Sequence, residues 1–173
     1  MRPASTESSP SSAPQRLPHA GVHFPPPFVY LGGLVLGWLV ERARALPITH
    51  GPGSGASTVR LSVAALFAFA WLAVMLTALS AFRRAHTTLI PNRPASAFVT
   101  DGPYRWTRNP MYVSMTLLYL AVALWMNSWW PVLLLVLVLV IIQELVITRE
   151  ERYLISAFPD QYVAYSARVR RWI

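Results

Sequence analysis

Long apolar runs separated by short polar segments dominate the pattern of this chain. Residues 61–82 are mostly Ala, Leu, Val, Phe and Trp, and a helix of that length spans a hydrocarbon core about 30 Å thick. Similar apolar runs cover residues 28–46, 110–126 and 129–147. The pattern therefore predicts an all-α integral membrane protein with about four transmembrane helices.

The polar segments between these runs indicate how the chain is organised. Residues 1–24 are rich in Ser and Pro and poor in apolar side chains, which favours a disordered tail ahead of a membrane domain at 25–173. The connection at 83–109 is long for a linker, so we expect it to be functional. Only residues 127–128 separate the last two apolar runs, which predicts an antiparallel helical hairpin.

The charges predict an orientation. All 15 basic residues are arginine, and the formal net charge is +8. They concentrate in the 83–109 loop and in the polar segment 148–173, whose two amphipathic pieces are expected to be short helices on the membrane surface. Positive-inside bias then places both termini and the loop in the cytoplasm. The arginine-only basic set favours a bacterial inner membrane.

Composition also limits the partners and the chemistry. The arginines lie at the ends of apolar runs rather than on one continuous patch, so they favour anionic lipid headgroups over nucleic acid. The chain has no cysteine, which excludes a disulfide framework, a thiolate nucleophile and a thiolate metal site. The 4 histidines do not have the spacing of metal ligands, and we expect no metal site.

The stretch 99–112 carries the strongest chemical signal. Asn109-Pro110 is typical of a helix start, with Asn109 as a candidate N-cap and Pro110 where its missing N–H costs nothing. Arg105 and Arg108, beside the free N–H groups of that start, could bind an anionic or zwitterionic group. Alternatively, the two arginines only mark the cytoplasmic edge of a membrane helix. The local sequence leaves both interpretations open.

The predicted hairpin brings a second charged group to this place. The start of the third apolar helix and the end of the fourth lie on the same side of the membrane. The acidic pair Glu150 and Glu151 then lies near the arginines at the mouth of the third helix. Opposite charges that converge at a membrane surface suit a zwitterionic or cationic ligand. The alternative is a solvated helix start whose acids pair with Arg149 and Arg152.

These motifs resemble those of a known enzyme family. The matching segments are Gly102-Pro103-Tyr104-Arg105, Arg108-Asn109-Pro110-Met111-Tyr112, Arg149-Glu150-Glu151 and Phe158-Pro159-Asp160-x-Tyr162-x-x-Tyr165. Over residues 87–172 the chain resembles the isoprenylcysteine carboxyl methyltransferases, which are related to the membrane phospholipid methyltransferases. The resemblance implies an integral membrane enzyme that uses S-adenosylmethionine and methylates a lipophilic small molecule or lipid at the cytoplasmic leaflet. The chain lacks the glycine-rich turn of the soluble methyltransferases, whose fold is therefore excluded.

The resemblance also implies roles for particular residues. The expected cofactor-binding residues lie in the loop before the third helix, at the mouth of that helix and in the acidic pair: Val99, Tyr104, Asn109, Pro110, Tyr112 and Glu150. The candidate catalytic residues are Arg108, Arg149 and Glu151. Val146 stands where the eukaryotic members have an arginine for the substrate carboxylate, and Arg149 could substitute for it. Asn109 replaces the family's commoner histidine and cannot titrate.

Two other functions remain open at this stage. A protein of the same fold could use a nicotinamide cofactor as a reductase, and a chain with a degenerate pocket could be a non-enzymatic membrane subunit. The methyl acceptor is also open: a prenylated-cysteine carboxylate, a phosphatidylethanolamine amine, and a small isoprenoid or aromatic acid or thiol all fit the sequence.

Overall fold

The computed structural model describes residues 25–51, 53–85 and 98–173. The predicted tail at 1–24 and much of the 83–109 loop lie outside the described residues. The elements in chain order are α1 (Pro26–Ala43), α2 (Gly55–Arg84), a 3-10 helix (Gly102–Arg105), α3 (Pro110–Trp125), α4 (Trp129–Ile142), a π-helical turn (Gln143–Ile147), α5 (Thr148–Ala157) and α6 (Pro159–Ser166).

The predicted all-α class is confirmed in the described part of the chain, which is helical and forms no strand. Two helices are long and apolar enough to cross a membrane: α2, and the continuous helix Trp129–Ala157. α3 is apolar but shorter, at 16 residues. The structure therefore supports a helical membrane protein with two candidate spans. The four predicted spans and their orientation stay predictions.

The helix that begins at Trp129 continues past residue 147, where the fourth apolar run was expected to end. The π-helical turn joins α4 to α5 without a break, and the Thr148 hydroxyl donates a hydrogen bond to the Gln143 carbonyl (2.8 Å). No glycine or proline interrupts the chain there, so the helix continues to Ala157, and the non-helical backbone of Phe158 (φ −137°, ψ 59°) precedes Pro159. The acidic pair thus lies on an extension of the helix that begins at Trp129.

α1 packs along α4, and α2 packs along α3. The first contact depends on two small positions in α1. A Cβ at Gly37 would lie 2.7 Å from the ring and 2.8 Å from the backbone nitrogen of Pro131, and a Cβ at Gly33 would lie 2.6 Å from the Val138 side chain. Glycine at these positions lets the two backbones approach closely.

The turn between α3 and α4 is held by side chains at the end of the helices remote from the acidic pair. Asn127 adopts φ +55°, and its amide bonds both the backbone N–H (2.9 Å) and the carbonyl (3.0 Å) of Thr49. Ser128 caps α4 by accepting from the Trp130 N–H, and its hydroxyl donates to Glu41 (2.6 Å). The fixed turn makes α3 and α4 antiparallel, so that the start of α3 and the α5 extension lie at the same end.

A tyrosine-rich core joins α1, α3 and α4. The Tyr119 hydroxyl donates to the Pro131 carbonyl (2.8 Å), and the Tyr30 hydroxyl donates to the Tyr112 carbonyl (3.2 Å). Both hydroxyls are thereby paired inside an apolar cluster that includes Ile142 and Val146. This core supports the first turns of α3, where the candidate site residues lie.

Candidate active site

The loop before α3 forms a short turn that directs Tyr104 inward. Gly102 adopts φ +62°, a left-handed conformation that favours glycine, and Pro103 follows it. Tyr104 is buried against Phe82 of α2, with the ring centroids 5.6 Å apart, and Val99 packs on the same cluster. The Tyr165 hydroxyl donates to the Tyr104 carbonyl (2.6 Å). The two loop residues expected to line a cofactor pocket therefore lie together.

The mouth of α3 begins as predicted, with Pro110 in the first turn and Asn109 at the N-cap position. The predicted capping contact is wrong, however, because the Asn109 side chain makes no cap hydrogen bond. Its Nδ2 donates to the Arg171 carbonyl (2.9 Å), while its backbone N–H donates to Thr107 Oγ1 (3.1 Å). The C-terminal segment supplies a backbone acceptor here, and an amide N–H satisfies it directly.

Glu150 on α5 meets α3 through a single strong hydrogen bond. The Tyr112 hydroxyl donates to Glu150 Oε1 at 2.7 Å. Glu150 makes no ion pair with any residue of the described ranges. Tyr104 lies nearby: burial, followed by the electrostatic influence of Tyr165 and Glu150, raises its pKa. Tyr104 and Tyr112 therefore lie close to the Glu150 carboxylate.

The neighbouring acid, Glu151, is in the opposite electrostatic situation. Arg171 binds it through both ends of the guanidinium, from Nε to Oε1 (2.9 Å) and from Nη2 to Oε2 (2.6 Å). Arg108 Nη1 lies 3.3 Å from Glu151 Oε1, which makes a second ion pair. The hydrogen bond to Glu151 raises the pKa of Arg171. Adjacent glutamates thus differ, since Glu151 is neutralised by two arginines and Glu150 is not.

Arg108 is held between α5 and α6. Its Nη1 donates to the Tyr162 hydroxyl (3.1 Å), and its guanidinium carbon lies 6.0 Å from the centroid of the Tyr162 ring. Burial raises the pKa of Tyr162 to about 12, so its phenol stays protonated at neutral pH. Arg108 Nε is buried and has no hydrogen-bond partner among the described residues. One donor of this guanidinium is therefore unused.

Arg149 faces a different part of the molecule. It lies at the polar end of a groove of about 460 Å³ between α1 and α4. The groove is otherwise lined by apolar residues, among them Leu36, Leu137, Ile141 and Val146, and it passes over Gly32. Of the predicted site residues, Arg149 is thus the one that lies on the groove side of α5 rather than in the cluster around Glu150 and Glu151.

Sequence reasoning missed two contributors to the site, Thr107 and Arg171. Thr107 is buried, and its hydroxyl donates to the Arg171 carbonyl (3.1 Å). Neither residue stands out in the sequence, because Thr107 is a common loop residue and Arg171 is one of several arginines after α6. The distance of 20 positions between Glu151 and Arg171 also hides their ion pair. The one feature of the sequence that could have indicated Thr107 is its position, two residues before the helix start at Asn109-Pro110.

The described residues form helices, two of them long and apolar enough to cross a membrane, with a charged, aromatic-lined cluster at the ends of the apolar helices. A family model described as phospholipid methyltransferase matches residues 59–161, which is more than half of the chain. The chain therefore belongs to the phospholipid methyltransferase family, a family of membrane methyltransferases, and the resemblance found in the sequence is confirmed.

A relative from Haemophilus influenzae, described as an uncharacterized protein, is 40% identical over 63 residues. That match covers 36% of this chain and 100% of the relative. No solved structure matches this chain significantly.

Proposed function

We propose that this protein is an integral membrane methyltransferase that uses S-adenosylmethionine and methylates a lipophilic acceptor at the cytoplasmic leaflet. The observation that carries the proposal is the contrast within the acidic pair. Glu151 is neutralised by Arg108 and Arg171, whereas the Glu150 carboxylate accepts a hydrogen bond from the Tyr112 hydroxyl (2.7 Å) and forms no ion pair among the described residues. A carboxylate in this situation favours a cationic ligand group.

The residues around Glu150 fit the parts of this cofactor. Glu150 would accept from the ammonium of the methionine end, and the unused Nε of Arg108 could donate to its carboxylate. Tyr104 and Tyr112 offer aromatic faces for adenine or for the region of the sulfonium. Val99, Asn109 and Pro110 would complete the walls at the mouth of α3. When bound, the cofactor supplies an activated methyl group.

Methyl transfer requires positioning more than acid–base chemistry. The S–CH₃ bond breaks as the bond to the acceptor forms, and the bonding electrons stay on sulfur. The protein must therefore align the two partners and exclude water. The non-titrating Asn109 is compatible with such a reaction. Under this proposal Glu151 and Arg108 organise the pocket, and Arg149 contacts the acceptor rather than the cofactor.

The groove between α1 and α4 is the proposed place for the apolar part of the acceptor. It offers about 460 Å³ lined mainly by aliphatic side chains, and its polar end is Arg149, the residue directly before Glu150. An acceptor with an apolar chain could enter there from the lipid while the cofactor enters from the aqueous side. This arrangement favours a lipophilic acceptor over a soluble one.

The decisive experiment is a titration of the purified, full-length chain in detergent with S-adenosylmethionine and with S-adenosylhomocysteine. We expect saturable binding to the native protein. Glu150→Gln should weaken binding about tenfold or more, because a hydrogen bond to a charged group is worth about 1.5–3 kcal/mol. The matched control is Glu144→Gln, the same substitution at an exposed position on the same continuous helix, which should bind as the native protein does.

Three results would overturn the proposal. Glu150→Gln could bind as tightly as the native protein, which would remove the acidic pair from the site. The native protein could bind a reduced nicotinamide instead, which would favour the reductase. It could also bind neither cofactor, as expected for a non-enzymatic subunit. If the native protein binds S-adenosylmethionine, a second experiment identifies the acceptor class. It measures whether labelled methyl groups enter total membrane lipid or protein, and base lability of the label detects esters.

A further inference from the structure

The chain after α6 returns to the mouth of α3. We name this segment, residues 170–172, the C-terminal strap. The Arg170 carbonyl accepts from the Arg108 backbone N–H (2.9 Å), and the Arg171 carbonyl accepts from Thr107 Oγ1 (3.1 Å) and Asn109 Nδ2 (2.9 Å). Backbone groups of the strap therefore bind three consecutive residues directly before α3.

The side chains of the strap bind the other half of the site. The Arg171 guanidinium forms its two hydrogen bonds with Glu151 on α5, and Trp172 Nε1 donates to Gln143 Oε1 (3.1 Å) in the π-helical turn. Arg171 is thus a bridge, because its carbonyl binds the mouth of α3 and its guanidinium binds α5. The Tyr112–Glu150 hydrogen bond joins the same two helices.

We infer that Arg171 is a positioning residue that sets the direction of the Glu150 carboxylate relative to the mouth of α3. This inference rests on the proposed function, since it concerns the same pocket. Glu150 and Glu151 are consecutive residues of one helix, so a bidentate clamp on Glu151 fixes the rotation of α5 and with it the side on which Glu150 projects. The planar guanidinium suits this role because its two donors match both carboxylate oxygens.

Asn109 has a specific part in this arrangement. Its Nδ2 donates to the Arg171 carbonyl, and Thr107 donates to the same oxygen, so that oxygen is held by two neutral donors. A neutral amide keeps its donor at every pH, unlike a histidine, whose ring nitrogens change protonation near neutral pH. Asn109 thus gives the strap a pH-independent anchor.

The test is calorimetric titration of the full-length chain in detergent with S-adenosylhomocysteine, which reports affinity and stoichiometry separately. Arg171→Gln should raise Kd about tenfold while the stoichiometry stays unchanged, the size expected when a misdirected Glu150 loses its hydrogen bond to the ligand's ammonium. Arg171→Lys keeps the charge but loses the bidentate fork, and should give an intermediate Kd. The matched control is Arg170→Gln, because Arg170 has an exposed side chain and contacts α3 through its backbone.

Each outcome has a defined meaning. Loss of stoichiometry with an unchanged Kd in both Arg171 variants would show a role in folding alone and would overturn the inference. An Arg171→Gln affinity equal to that of Arg170→Gln would overturn it as well. Failure of the native protein to bind the ligand would instead overturn the proposed function. Support for the inference is a raised Kd for Arg171→Gln, a smaller rise for Arg171→Lys and none for Arg170→Gln.

Discussion

Replacing a glycine at the α1–α4 contact offers the most direct test of the fold. In Gly37→Ala, the added Cβ would lie 2.7 Å from the ring and 2.8 Å from the backbone nitrogen of Pro131. These distances are shorter than van der Waals contact, and the ring and backbone of proline cannot rotate away. We therefore expect the two helices to separate and the protein to lose stability.

The magnitude follows from a matched pair. Gly32→Ala lies on the same helix, and its Cβ would have no neighbour within 4 Å. Both substitutions gain about 1 kcal/mol of helix propensity, so this contribution cancels in the comparison. What remains is the cost of overpacking at Gly37, about 1–3 kcal/mol. For a chain of this size, each kcal/mol corresponds to about 2–4 °C, which predicts a difference of about 2–12 °C.

The assay is the apparent melting temperature of both full-length variants in the same detergent. Gly37→Ala should melt below Gly32→Ala, and Gly32→Ala should melt at or slightly above the native protein. If Gly37→Ala melts at or above Gly32→Ala, α1 does not pack on α4 at Pro131. The same contact supports the helix that continues into α5, so a large loss at Gly37 should also reduce the fraction of protein that binds the cofactor.

Two further predictions concern the site and the groove. Tyr112→Phe removes the hydroxyl that donates to Glu150 (2.7 Å). The carboxylate is then free to turn away from the ligand's ammonium, and the loss of that charged hydrogen bond should weaken S-adenosylhomocysteine binding by up to about tenfold in the same titration. An unchanged Kd would contradict a role for the Tyr112–Glu150 hydrogen bond. Gly32→Leu places a side chain in the groove between α1 and α4 without a clash at Cβ. It should reduce methyl incorporation into membrane lipid while the Kd for the cofactor stays unchanged. Unimpaired incorporation would exclude the groove as the acceptor site.

The sequence predicts the helical elements well because apolar runs have a simple physical meaning. A stretch of about 20 apolar residues is stable as a helix in lipid, since its backbone groups are paired within the segment. The starts of α3 and α4 agree with the sequence for local reasons, Pro110 in one case and Ser128 in the other. The end of the last long helix was harder to predict. The chain becomes polar at Thr148, but polar residues can continue a helix in water, and the backbone stays helical to Ala157.

The candidate site was predictable only as far as motifs lie close together or are joined by a hairpin. The turn at residues 127–128 makes the start of α3 and the end of the fourth apolar run neighbours, which is why Tyr112 and Glu150 could be grouped in advance. The resemblance implied different roles for Glu150 and Glu151, but the sequence did not predict that Glu151 pairs with two arginines and Glu150 with none among the described residues. That difference depends on Arg171, which reaches Glu151 only because α6 turns the chain back toward α3.

By itself, the sequence determined the helical class and the apolar runs, since these depend on local composition and spacing. Its charged motifs indicated a methyltransferase family through their resemblance to that family. The tertiary structure decided which charges neutralise each other, which glycines lie against another helix and which polar donors remain unused, as with Arg108 Nε. The physical reason is that an ion pair or a close helix contact depends on distances between segments remote in the chain, and these distances are fixed only when the helices pack.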